Sequence, residues 1–440
     1  MERKNICKNI IRSIQQYITD PDKIEAHREK NHFIRKRKLS MLHIILYLFY
    51  SSRASMWTNI SRICRDLPLL DFPKVTKQAV SKARQYIDPA LFKELFYISV
   101  DLFYKYIPSR KKWHGYHLFA IDGSKFELPN SPSNFESFGE MFGYPDPSRK
   151  FTMGLASVVY DVLDDYIVHA SFQRYLASER AAALEHLKSL ERLNIYENSI
   201  VIFDRGYYSE ALFRYCVSHN HLCLMRLKEN YTLSKKTKGD LLTELPANPK
   251  ENTESIPVRV LEVTLTDGSK EYLATNLFDK SITQDMFREL YFYRWPVETK
   301  YKELKSRLKI EEFNGATTVS VLQEFFLNIL LSNIASLIKN DADTIIQKEI
   351  APADDADTII QNNNAPADDH KYQANRSYII GEIKNLLPKI LSGEYRLDIL
   401  DELFSAACKH KSQIIDGRSF KRKRNKAIGR TKFRNKKPAF

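Results

Sequence analysis

An α/β core set between two helical regions is what this sequence predicts, and three observations predict it. The first is a change of texture. Residues 1 to about 110 contain few glycines and space their apolar residues as helices do, whereas from Trp113 short apolar runs follow one another at strand length. The second is that two of those runs, Tyr116-His-Leu-Phe-Ala-Ile-Asp122 and Ser199-Ile-Val-Ile-Phe-Asp204, end in an aspartate. The third is a helix near residue 298 that carries an acid, two cations and a phenol on one arc. Hydrophobic residues are 43% of the 440 and aromatic ones 12%, enough for a folded core rather than a disordered chain.

In the first region a basic cluster, Arg35-Lys-Arg-Lys38, leads into an apolar segment, Met41–Tyr50. Val75-Thr-Lys-Gln-Ala-Val-Ser-Lys-Ala-Arg84 then reads as a short basic helix presenting Lys77, Gln78, Ser81, Lys82 and Arg84. Side chains of these kinds hold phosphates and read base edges, although a plain solvated helix looks the same.

The core elements come in a definite order. Tyr116–Asp122, Gly154–Tyr160 and Tyr166–Arg174 read as strands, and a helix follows over Glu179–Leu193. Ser199–Asp204 is a short buried strand, Glu210–Ser218 a helix and Leu222–Lys228 a fifth strand. Three strands, a helix, a strand, a helix and a strand is the order of an RNase H-like fold. An aspartate at the carboxyl end of a buried strand is a favoured catalytic position in open α/β sheets. Residues 229–282 interrupt the pattern with a hairpin, Val258–Thr266 and Glu271–Leu277, joined at Asp267-Gly268.

The helix of the third observation is Tyr291-Phe-Tyr-Arg-Trp-Pro-Val-Glu-Thr-Lys-Tyr-Lys-Glu-Leu-Lys305. Wound at about 100° per residue, it places Tyr291, Arg294, Glu298 and Lys305 within an arc of roughly 60°. Val297, Tyr301, Leu304 and Leu308 form a neighbouring apolar stripe, so the polar arc lies at the edge of a buried face. Pro296 disfavours helix at Trp295 and suits a first helical position, which predicts a start or kink there.

Tyr-x2-Arg-x3-Glu-x6-Lys resembles the signature of the DDE transposases of bacterial insertion sequences, the IS-four family. Tyr291, Arg294, Glu298 and Lys305 match it without a slip in spacing, and Asp204-Arg-Gly-Tyr and Ala177-Ser-Glu-Arg180 resemble it as well. The resemblance implies an RNase H-like catalytic domain at 111–340, with 229–282 as its β-rich insertion. It implies that Asp122, Asp204 and Glu298 are the catalytic acids and hold Mg²⁺, replaceable by Mn²⁺, as two ions. It implies phosphate contacts from Tyr291, Arg294 and Lys305, and DNA binding by the helical region 1–110. Element ends, target DNA and a second copy of the chain are the implied partners.

Three carboxylates brought together need a counter-charge, and a hard divalent cation with oxygen ligands supplies one. No Gly-rich phosphate loop and no H-E-x-x-H competes with them.

The last third begins with an apolar helix, Val319–Ile338. Ala342–Asp355 and Ala356–Asp369 then form a tandem fourteen-residue repeat, acidic and containing proline, which reads as a surface linker over 341–369. A helical region covers 370–417, followed by a basic tail, 418–440, with eleven Lys or Arg and no acid. The formal charge of +14 suggests a polyanionic partner. Five cysteines without a C-x-x-C pair argue against zinc and a disulfide framework and fit a reducing cytoplasm, which the resemblance implies is a prokaryotic one. The apolar runs Leu42–Tyr50 and Phe325–Ile338 are short for a bilayer, and no membrane partner is expected. Two other functions stay open: a catalytically silent DNA-binding relative, which the repeat of a decaying copy would suit, and a basic RNA-associated protein.

Overall fold

Hydroxyl side chains start many of the helices. Ser40, Ser55, Thr76, Ser178, Ser209 and Thr283 each accept a hydrogen bond from a backbone N–H in the first turn, as helix N-caps do. The computed structural model describes residues 2–414 except 36–37, 53, 143–145, 147, 149, 248, 250–251, 266–267 and 351–370. The amino-terminal helices are α1 (Arg3–Thr19), α2 (Met41–Tyr50), α3 (Met56–Asp66), α4 (Lys77–Arg84) and α5 (Ala90–Tyr106). On α1, Ile6, Ile10, Ile14 and Ile18 recur every four residues and are fully buried.

The core is one eight-stranded sheet. Its strands are β1 (His117–Glu127), β2 (Met153–Asp161), β3 (Tyr166–Arg174), β4 (Ser199–Phe203), β5 (Leu222–Leu227), β6 (Asp240–Leu245), β7 (Ile256–Thr264) and β8 (Lys270–Thr275). They lie in the order β3-β2-β1-β4-β5-β8-β7-β6. β1 pairs antiparallel with β2 and parallel with β4, and β4 pairs parallel with β5. Such parallel neighbours need a crossover. Helix α6 (Glu179–Arg192) lies between β3 and β4 in the chain, and α7 (Glu210–Ser218) between β4 and β5. This is the RNase H-like arrangement. The residues read as an interruption extend the same sheet, because β8 pairs antiparallel with β5. Asp267 of the expected turn lies outside the described residues, while Gly268 has φ +82, as a tight turn requires. Helices α8 (Gln284–Phe292) and α9 (Trp295–Ser306) complete this part.

The chain ends its described portion with α10 (Thr318–Ile350), α11 (Arg376–Leu391) and α12 (Ile399–Lys409). Helix α10 packs against α1, α5, α11 and α12. The two helical regions read as separate therefore share one compact unit, made of the described residues among 1–108, 141–151 and 307–440, while those among 109–140 and 152–306 form the other.

A second correction concerns the repeat. Helix α10 runs through its first nine residues and buries Ala342 and Ile346, so that part is core rather than linker. Residues 351–370 and the tail lie outside the described residues. Helix α10 is also long and apolar enough to cross a membrane by length and composition, longer than the apolar run suggested, and 94% of its apolar window is buried.

Candidate active site

The parallel pairing of β1 with β4 runs from His117 opposite Ser199 to Ile121 opposite Phe203. One step further along the same register stand Asp122 and Asp204. Adjacent strands lie about 4.8 Å apart and equivalent positions point to the same face, so the aspartates are lateral neighbours. Only one of them ends a strand. β4 stops at Phe203, but β1 continues to Glu127, with Asp122 opposite Val158 of β2. The expected strand end at Asp122 is thus the end of the parallel pairing alone.

The third acid arrives on two helices rather than one. Helix α8 ends at Phe292, and α9 begins at Trp295 with Pro296 as its second residue. The backbone N–H groups of Tyr293 and Arg294 donate to Leu290 and Tyr291, which tightens the last turn and reorients the chain. Proline has no N–H to lose at a helix start, so the break falls where its ring fits. A single helical wheel through Tyr291 and Lys305 is therefore wrong, yet the break still delivers the side chains to the aspartates. Tyr291 Oη donates to Asp204 Oδ1 at 3.2 Å. Arg294 Nη1 donates to Glu298 Oε1 at 2.9 Å, and its Nε lies 3.9 Å from Asp204 Oδ1.

Arg294 is only 5% exposed and occupies the space between two acids. Its guanidinium also lies over the rings of Trp295 and Tyr291, at 5.1 and 5.7 Å. Asp122 completes the group electrostatically. Burial pushes its carboxyl up to about 7, and the charges of Glu298 and Asp204 push the same way; the Gly123 backbone hydrogen bond and Arg294 oppose them. Tyr291 stays a protonated donor, since burial and the charge of Asp204 both raise its phenol. Glu271 of β8, paired with Arg226 of β5 at 2.8 Å, adds a further buried acid that feels Asp204.

Among the described residues no three His, Cys, Asp or Glu side chains are gathered at metal-ligating spacing. The acids instead surround one guanidinium, a looser arrangement than the expected shared ion site. Their chemistry fits a hard divalent cation nonetheless. All the donors are carboxylate oxygens, and burial, with the charges of Glu298 and Asp204 beside it, makes one of them, Asp122, costly to ionise.

Other groups hold the acids in place. Tyr301 Oη donates to the backbone oxygens of Asp122 and Ala156 at 2.9 and 3.1 Å, fastening α9 to β1 and β2. Ser157 Oγ, hydrogen-bonded to the buried His186 at 2.9 Å, donates to the Asp122 oxygen at 3.4 Å. The residue that sequence reasoning missed is Lys300. It is 3% exposed, lies 2.6 Å from Asp165 and 3.6 Å from Glu303, and sits over the ring of Tyr160. It reads as one more solvated lysine on a charged helix, and only its position one residue before Tyr301 of the apolar stripe hints otherwise. The stripe itself is buried as expected, including Val297, Tyr301, Leu304 and Leu308. Lys305 Nζ donates to the Lys125 backbone oxygen, three residues beyond Asp122, and lies over the ring of Phe126.

The expected DNA-reading helix divides. Lys77, Gln78, Ser81 and Lys82 are exposed on α4. Arg84 is not a surface residue. It is 2% exposed and donates to Gln323, to the Ser320 backbone oxygen and to Glu324, at 2.9, 3.1 and 3.0 Å. Its place among the DNA contacts is withdrawn, because its donors are taken up by Gln323, Ser320 and Glu324, which make it a structural residue of its own unit.

An RNase H-like sheet with aspartates on adjacent parallel strands, faced by a glutamate on a following helix, defines the DDE class of polynucleotide-processing enzymes. The sequence matches the family described as transposase DDE domain over residues 113–334, half of the chain. It is 25% identical over 332 residues to transposase InsG for insertion sequence element IS4 of Escherichia coli (strain K12), covering 70% of this chain and 72% of that protein. It is also 27% identical over 138 residues to the putative transposase InsZ of the same organism, covering 31% of this chain and 44% of that one. Among solved structures, the piggyBac transposase synaptic complex with hairpin DNA aligns with a TM-score of 0.47 at 10% identity, over 92% of this chain and 84% of that one.

The chain belongs to the transposase DDE domain family and is a DNA transposase of the IS-four type. As a member it binds DNA, cleaves it, transfers strands and uses divalent metal.

Proposed function

We propose that this transposase cuts the ends of an insertion sequence and joins the freed 3′-hydroxyls to target DNA. Asp122, Asp204 and Glu298 would hold the metal. The observation that carries the reading is the register: two aspartates one step past the last parallel pair, with Glu298 beside them across the Arg294 guanidinium. Bound among these acids, a pair of Mg²⁺ ions, or Mn²⁺ in their place, would polarise the attacking water or 3′-hydroxyl and stabilise the leaving oxygen.

The chain's own residues do the rest. Arg294 neutralises Asp204 and Glu298 while no substrate is present. Once released from Glu298, it has planar paired donors suited to a phosphate beside the scissile bond. Tyr291 offers a second donor there. Lys305, further along α9, meets the same strand as a point charge. Lys77, Gln78 and Lys82 present an exposed basic face for the element ends, and the tail adds affinity without choosing sequence. The enzyme works as a homodimer, with DNA in a prokaryotic cytoplasm; the five free cysteines suit that compartment.

Cleavage of a labelled element-end duplex in Mg²⁺ tests the assignment. Lys305→Ala should slow cleavage on the order of 10–100-fold, as misplacing a reacting group does, while Mn²⁺ binding stays at the wild-type level. A Lys305→Ala protein that had lost Mn²⁺ as completely as Asp204→Asn would show the lysine serving the metal site rather than the substrate.

A further inference from the structure

Two buried histidines lie behind Asp122, and nothing in the proposed chemistry uses them. His169 is on β3, at one edge of the sheet, and His186 is on α6, which packs on β1, β2 and β3. Their Nδ1 atoms are 2.7 Å apart, so one ring donates a hydrogen to the other. His186 Nε2 lies 2.9 Å from Ser157 Oγ on β2, and that oxygen lies 3.4 Å from the Asp122 backbone oxygen on β1. The Tyr207 phenol hydrogen-bonds Ser157 as well. A line of hydrogen bonds therefore runs from the sheet edge, through the helix, to the strand that carries Asp122.

The line can be polarised in two ways, and one of them serves Asp122. A serine hydroxyl has a single hydrogen. It reaches the Asp122 oxygen only if His186 carries its own hydrogen on Nε2 and gives it to Ser157. His186 Nδ1 is then bare and accepts from His169 Nδ1–H. The His186 ring holds no second proton, since burial and His169 beside it push its pKa well below the ordinary value. Tyr207, raised by burial and by the charge of Asp122, keeps its hydrogen and fills the remaining lone pair of Ser157. Ser157 and His186 then use every donor and acceptor they have.

Packing alone does not call for such a line, because apolar groups of the same shape in place of both partners are nearly neutral for stability. What the line supplies is a fixed hydroxyl at the point where β1 loses β4. The parallel pairing stops at Ile121, and the next carbonyl, that of Asp122, is held by the Tyr301 and Ser157 hydroxyls. We propose that His186 is a positioning residue for Asp122: donating from Nε2, it aims the Ser157 hydroxyl at the Asp122 backbone and so fixes the direction of the carboxylate. The proposal rests on Asp122 being one of the acids that hold the metal.

Nuclear magnetic resonance of the full-length, metal-free protein, isotope-labelled on its histidine nitrogens, tests the polarity without reference to activity. The His186 ring, identified as the signal that His186→Gln removes, should be neutral with its hydrogen on Nε2. A hydrogen on Nδ1 would turn the Ser157 hydroxyl away from Asp122 and overturn the proposal. Calorimetric Mn²⁺ titration and cleavage kinetics test the consequence. His186→Leu should weaken Mn²⁺ binding about tenfold, the low end of what groups behind metal ligands contribute. It should lower kcat on the order of 10–100-fold, as a misdirected catalytic group does, with KM for an element-end duplex unchanged. His186→Gln, whose amide can donate from nearly the same place, should recover most of both losses. If His186→Leu does not fold, Ser157→Ala, which deletes only the hydroxyl, carries the same expectations. A glutamine variant no better than these, or wild-type Mn²⁺ affinity and kcat in them while Asp204→Asn has lost the metal, overturns the positioning role alone. Wild-type Mn²⁺ affinity in Asp204→Asn would take the three-acid site down with it.

Discussion

Replacing Lys300 with alanine should destabilise the catalytic unit by about 3–5 kcal/mol and abolish cleavage at 37 °C, although no substrate atom touches it. The range is what breaking one side of a buried ion pair costs, since the partner is left charged and desolvated. Here Glu303 is 8% exposed, and Asp165 accepts from both Lys300 and Tyr160. Asp165 sits at the β2–β3 turn with φ +54, a conformation that aspartate tolerates better than most residues. Losing the lysine would therefore loosen the turn from α9 and shift Tyr301, whose hydroxyl holds the Asp122 backbone. Lys300→Met keeps the length but not the charge and should behave almost as badly. Differential scanning calorimetry decides it: a melting temperature for either variant within 1–2 °C of the wild type would mean that the pair is structurally idle.

Asp122→Asn should reduce cleavage at least on the order of a thousandfold, by removing a ligand from a charge-stabilised transition state. It should also change the pH dependence of the metal-free protein in a direction set by the raised carboxyl. In the folded protein that group keeps its proton up to about 7, against 3.8 for the ordinary side chain. Between those values the folded state binds a proton that the unfolded state has released. The stabilisation from this group is complete below about pH 4 and is lost as pH rises to 7. Asparagine has no such dependence. In EDTA the variant should match the wild type near pH 4 and become more stable by on the order of 2–4 kcal/mol by pH 8, at about 1.4 kcal/mol per unit. Metal should reverse the comparison, because on the proposed assignment Asp122 is one of its ligands and asparagine removes that carboxylate. Its affinity should fall as pH drops below 7, since protons compete for the ligand. Stability curves for the two metal-free proteins that stay parallel from pH 4 to 8 would remove the argument that burial holds Asp122 protonated.

How much of this was legible beforehand can be read from particular residues. Asp122 or Asp204 alone is more often a turn residue or helix cap, but each follows a short apolar run, and together with Glu298 they stood out. Their adjacency did not, since strand order is a property of pairing and not of local pattern. The spacing of Tyr291, Arg294, Glu298 and Lys305 was legible, and Pro296 marked the break; the arc failed because it was drawn through the break as one helix.

Arg84 and Lys300 were misread or missed for a common reason. A cation is buried only when distant carboxylates and carbonyls meet it, and Gln323, Glu324 and Asp165 are not neighbours in sequence. Helix α10 was cut short at Ile338 because the repeat resembles a linker by composition, while Ala342 and Ile346 continue its buried face at four-residue spacing. The 229–282 segment was recognised as β-rich, yet nothing local says that β8 would pair with β5 and extend the sheet.

Anomalous diffraction from crystals grown with Mn²⁺ and an element-end duplex tests the central claim most directly. The account predicts metal peaks bounded by carboxylate oxygens of Asp122, Asp204 and Glu298, with the Arg294 guanidinium turned from Glu298 toward a phosphate. Peaks elsewhere on the chain, with Arg294 still bridging Glu298 and Asp204 beside a bound scissile phosphate, would contradict it.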